Sequence, residues 1–192
     1  MLMLVIGAGS ALLDALLTPI VEDLYPKDDG SKMNLLHAFW PVGTLVSVLL
    51  LGQLLTMGVS WRYLFTGIAV VMLLVMFWFP SSRKIRLPAN RTDFSHMGEI
   101  LSLRRFWLFG SALGFAGGAE GAFTFWSASY IQLSFDQLPR AGAFGTAAFA
   151  LGMAIGRFSS SRIAGKIGLR RLIIISLLCG VLVSGGFFFV RN

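Results

Sequence analysis

The sequence predicts an all-α, polytopic membrane protein with six transmembrane helices. Three observations predict it. Of 192 residues, 56% are hydrophobic and only 13% charged, about half the charged share of a soluble domain. The apolar residues fall into six runs near the ~20 residues that cross a hydrocarbon core, and mean hydropathy is +0.76. The sixteen Lys and Arg sit in the gaps between those runs and mostly on one side. Seventeen Phe, eight Met and twenty-two Gly fit helices packed in lipid.

The first run covers about residues 1–21 and contains VIGAGSALL. Gly7 and Gly9 after a strand-like stretch begin a G-x-G-x-x-[GA] turn, but Leu12 occupies its third position. A dinucleotide turn also needs an acid about twenty residues on, at a strand end within an alternating α/β domain. Asp28 and Asp29 lie near that offset in a charged loop, and no later segment reads as a β-α unit. The stretch is therefore read as helix. It starts without the basic flank of a signal peptide, as a chain entered midway would. The other runs cover about 35–57, 63–79, 106–133, 141–156 and 172–190.

Thirteen of the sixteen basic residues lie in three alternate gaps: Lys27 and Lys32; Arg83, Lys84, Arg86, Arg91, Arg104 and Arg105; Arg157, Arg162, Lys166, Arg170 and Arg171. Only Arg62, Arg140 and Arg191 fall on the other side. The positive-inside rule puts the three gaps in the cytoplasm and both ends of the sequence outside, in a multi-pass protein of the cell membrane. The net charge of +7 thus reflects topology and not a nucleic-acid face, on which basic residues would cluster in a folded soluble domain. Cys179 is the single cysteine, and His37 and His96 stand on different segments, which leaves no disulfide and no metal cluster. With no G-x-S-x-G, P-loop or H-E-x-x-H, neither an enzyme nor an ATP-driven pump is expected, and no cofactor is implied.

A charge at the centre of a membrane helix costs about 2.5–3.5 kcal/mol, so each needs a reason. Asp14 lies well inside the first run, on a stripe with Gly7, Ser10 and Thr18. Glu120 lies inside the fourth, on a stripe with Gly117, Thr124 and Ser127. Spacings of three and four keep each stripe on one helix face, and both look like walls of a water-accessible cavity. A carboxyl so placed serves either as a proton-coupling group, because desolvation lets it pass between charged and neutral forms, or as a structural acid bonded to a neighbouring helix. His37 shares a third polar stripe with Asn34, Pro41 and Thr44 and can bind solute, relay a proton or simply face water. Trp126 and Tyr130 suit stacking on a sugar ring or interfacial anchoring equally, and Trp61 with Arg62 suits anchoring. Gly43 with Ser47 and Gly152 with Gly156 form small-xxx-small pairs, where close helix packing is expected.

These segments resemble the major facilitator superfamily, and within it the fucose:proton symporter-like sugar permeases. ALLDALLTPIVEDLYP is similar to the family's fourth helix, with Asp14 as its acid and Thr18-Pro19 in place of Asn-Pro. KMNLLHAFWPVGTLV resembles the fifth, GVSWRYLF the junction before the sixth, and GGAEGAFTFWSASY the seventh. GMAIGRFSSSRIAGKIGLRR resembles the basic loop between the eighth and ninth. The resemblance spans the whole sequence but covers helices four to nine of twelve. It implies a partial major-facilitator fold: two three-helix repeats, one from each half, at 1–80 and 106–192, joined by a cytoplasmic linker at 81–105 with a short amphipathic helix near 95–104. It implies proton coupling and sugar binding at Asp14, with a weaker carry-over to Glu120. The candidate set around them is Thr18, Asn34, His37, Thr124 and Trp126. The basic loop, with Arg157, Arg162, Lys166 and Arg170, is expected to gate, although Gly165 stands where the motif's acid would. Transport of a sugar or similar small polar solute with protons, by alternating access, is the function implied. A non-transporting remnant, or a helical module awaiting its missing helices or a partner chain, is the alternative.

Overall fold

The computed structural model describes residues 2–27, 31–78, 95 and 97–189. Within the described residues seven helices run α1 Leu2–Leu24, α2 Ser31–Thr56, α3 Trp61–Trp78, α4 Met97–Ser102, α5 Arg104–Ser134, α6 Pro139–Ile167 and α7 Leu169–Gly186, followed by a 3₁₀ turn at Phe187–Phe189. No strand occurs among the described residues. Among the described residues, four helices are long and apolar enough to cross a membrane: Leu4–Leu24, Lys32–Thr56, Trp61–Trp78 and Pro139–Ser160. They match the first, second, third and fifth expected runs; α5 and α7 occupy the places of the fourth and sixth. The short α4 falls inside the expected amphipathic stretch, while linker residues 81–94 and His96 lie outside the described residues.

The helix ends follow from local chemistry. Gly58 takes a left-handed φ of 85° after α2. Its N–H reaches the Leu55 carbonyl and the Val59 N–H reaches that of Leu54, both at 3.0 Å. This double bond pattern satisfies carbonyls the helix end would orphan, and glycine is the residue that accepts the backbone angle. Gly168, with φ 84°, ends α6 in the same left-handed region. Pro139 opens α6 at a position where a missing N–H costs nothing.

One expectation fails at α6. The fifth apolar run ends at residue 156, yet the helix continues to Ile167. The segment RFSSS stays helical and its serine hydroxyls are satisfied within the helix: Ser160 Oγ donates to the Arg157 carbonyl at 2.9 Å, and Ser159 Oγ donates to that of Ile155. Arg157, Arg162 and Lys166 are therefore helix residues and Arg170 lies in the first turn of α7, so these four are not loop residues.

The core is a seam between α2 and α6, the most extensive helix contact, with α5 packed beside α6. On α6 the buried residues Ala143, Ala147, Ala150 and Ala154 recur every three or four positions with Thr146 among them, a face only methyl groups wide that lets backbones approach. A β-carbon on Gly52 would collide with the Ala143 methyl. Gly52 meets Ala143 while His37 meets Arg157, so the two helices run antiparallel. Among the described residues the small pairs expected to pack make no close helix contact: nothing from another element lies within 4 Å of a β-carbon built on Gly43, Gly152 or Gly156. Total accessible surface is 16174 Å², against about 9,000 Å² for a compact soluble monomer of this mass. Leu, Val, Ile, Phe and Met side chains on α1, α3 and α7 make up much of the excess, and lipid is the solvent that suits them.

Candidate functional site

Two polar sites lie along α2. The first is a cavity of about 210 Å³ between α1 and α2, lined by Asp14, Leu17, Thr18, Leu36, His37, Phe39 and Trp40. The four-residue spacing brings Asp14 and Thr18 onto one face of α1, and that face meets the His37–Trp40 stretch of α2. A carboxylate, a hydroxyl, an imidazole and an indole thus converge in an otherwise apolar pocket. Asn34, one turn before His37, is half-buried and not among the lining residues.

The second site is built on Arg157. Its Nη2 lies 3.3 Å from Glu120 Oε2 across the α5–α6 contact, with the two side chains 29% and 33% exposed. Its Nη1 donates to the His37 carbonyl at 2.6 Å. The guanidinium carbon sits 5.9 Å from the centre of the Trp40 ring, within cation–π range. Three helices therefore meet at one side chain. The 2.6 Å bond to α2 is the shorter, and the contact with Glu120 is longer than the 2.7–2.9 Å usual for such charged pairs.

The Glu120 stripe contacts α6 at Glu120 and at Ser127, with the Glu120 side chain 33% exposed. One turn beyond Glu120 the Thr124 hydroxyl is buried with no hydrogen-bond partner among the described residues. One turn further, the Ser127 and Thr146 hydroxyls lie 2.9 Å apart. Phe123 stacks on Phe149 at 5.4 Å. Trp126 is 71% exposed and points away from this face. Arg162, Lys166 and Arg170 are exposed. Sequence reasoning missed Trp40, which lines the first site and lies beneath Arg157 in the second, and it placed Arg157 outside the membrane helices. The signal that identifies the pair is chemical: an arginine next to an apolar run and an acid inside another are each expensive alone.

Trp61 and Arg62 stack at 4.7 Å at the start of α3, as interfacial anchors would. No group of three or more metal-ligating side chains occurs among the described residues.

The family model of the Major Facilitator Superfamily matches residues 1–192, the full length of the sequence. No curated protein and no solved structure shows significant similarity. The chain belongs to the major facilitator superfamily, whose members are membrane transporters and not enzymes.

Proposed function

We propose that this member of the superfamily moves a sugar or similar small polar solute across the cell membrane together with protons, by alternating access. The observation that carries the reading is Asp14, an acid lining a cavity with Thr18, His37 and Trp40 on helices otherwise made for lipid. Protonated, Asp14 makes the site neutral, and a loaded neutral site can reorient through an apolar barrier that a bare carboxylate resists. Deprotonation on the cytoplasmic side then favours release. Thr18 and His37 supply donors and acceptors for hydroxyls, with Asn34 adjoining. Trp40 offers a ring face of the kind the sequence suggested for Trp126. Glu120 and Thr124 belong to the second site, where the acid is neutralised by Arg157.

In this reading α1–α3 and α5–α7 belong to the two halves of the transporter, α4 lies in the cytoplasmic linker, and the α2–α6 seam joins the halves. The basic residues of α6 and α7 face the cytoplasm, as the charge asymmetry requires. The fucose-like subgroup remains a resemblance of residues, and Thr18-Pro19 in place of Asn-Pro points to a solute other than fucose.

The test is proton movement. In lightly buffered proteoliposomes, adding the transported sugar outside should alkalinise the medium as protons enter with it. Solute uptake with no proton movement would leave a facilitator and end the coupling proposal.

A further inference from the structure

Pro41 stands inside α2 four residues after His37. In an α-helix the His37 carbonyl would accept the N–H of residue 41, and proline has none. In apolar surroundings an unpaired carbonyl is costly, so the freed oxygen needs another donor. It takes Arg157 Nη1 at 2.6 Å from the neighbouring helix. A planar guanidinium can serve this carbonyl and the Glu120 carboxylate at once, which a lysine ammonium does less well.

The opposite end of the same seam is held differently. There Gly52 abuts the Ala143 methyl, and Thr56 Oγ1 donates to the Gly52 carbonyl at 2.8 Å while accepting the Arg140 N–H at 3.0 Å. That end is locked by backbone-level packing and carries no charge pair. The His37 end also buries Ala38 and Pro41, but the polar contact across it is made by one long side chain, 29% exposed, that can swing away. Fifteen residues separate Gly52 from His37, a lever of about 22 Å. A tilt of about 10° at the packed end would carry the other end about 4 Å, beyond hydrogen-bond reach.

We propose that Arg157 is a latch on the α2–α6 seam: Pro41 creates its catch by freeing the His37 carbonyl, Glu120 positions the guanidinium, and the seam opens at this end while pivoting at Gly52. Arg157, Pro41 and Glu120 act on the balance between closed and open states and need not touch solute. The proposal concerns seam opening alone and stands whatever the solute or coupling ion.

The test uses buried cysteine reporters in the protein in lipid nanodiscs, with Cys179 replaced by serine. Ala38→Cys reports the latch end, where Ala38 is 0% exposed, and Ala147→Cys reports the seam nearer the pivot. When opening is fast relative to reaction, the rate of maleimide labelling follows the open population. Arg157→Gln should speed labelling at residue 38 about tenfold, the equivalent of about 1.4 kcal/mol, close to the value of a hydrogen bond to a charged group. Pro41→Ala restores a helical bond and keeps the fold, yet it should speed the same reporter several-fold. The double variant should be no faster than Arg157→Gln, because both break one contact. Residue 147 should not respond. Unchanged labelling at residue 38 in either variant, multiplied effects in the double variant, or an equal rise at residue 147 would each overturn the latch.

Discussion

Arg157 and Glu120 neutralise each other at 3.3 Å within the helices, and the energetic consequence is specific. Removing one partner strands the other charge, and partial exposure of both limits the cost to about 1–2 kcal/mol. Glu120→Gln should therefore lower the thermal midpoint in detergent micelles, and so should Arg157→Gln. The double variant should recover part of the loss, which a thermal-shift cycle of the four proteins measures. Additive losses would show that the two side chains do not interact. The two acids were legible in the sequence because each interrupts an apolar run. The partner of Glu120 was not. Arg157 stands one residue past the end of its run and resembles a loop cation, because the helix continues to Ile167 through polar residues whose hydroxyls bond back to its own carbonyls, a pattern that hydropathy does not register. The converse holds for Trp126: on α5 it stands six residues after Glu120, and helical rotation puts it on another face.

At the scale of the element, the α2–α6 seam depends on the absence of side chains. Gly52→Val would drive branched carbons into Ala143 and should cost about 1–3 kcal/mol by overpacking, read as a lower thermal midpoint. Gly43→Ala and Gly152→Ala, where nothing lies within 4 Å, should change stability by no more than about 1 kcal/mol and in the stabilising direction, since alanine suits a helix better than glycine. Equal losses at Gly52 and Gly43 would contradict the seam. The helices were legible as apolar runs, with ends within about four residues of their observed positions except at α6. The pairing of helices was not, because a small residue marks only that something can approach. Gly43, Gly52, Gly152 and Gly156 look alike in sequence, and only the packing partner distinguishes them.

At the scale of the whole molecule, the basic residues crowd three alternate gaps, and the account puts those gaps in the cytoplasm. A cysteine introduced at Ser60, in the turn between α2 and α3, should react with a membrane-impermeant reagent from outside intact cells. One at Lys166 should react only after permeabilisation. The opposite result would invert the topology. The membrane class was legible because composition, run length and charge asymmetry are properties of the whole chain, and the family because five segments resemble it in order. The site was legible only in part, since the cavity needs two helices and the sequence shows one face at a time. Asp14 is the group proposed to tie solute to protons. In proteoliposomes, solute exchange without a gradient should persist in Asp14→Asn while accumulation driven by an inward proton gradient disappears. Gradient-driven accumulation as strong in Asp14→Asn as in the unaltered protein would contradict it.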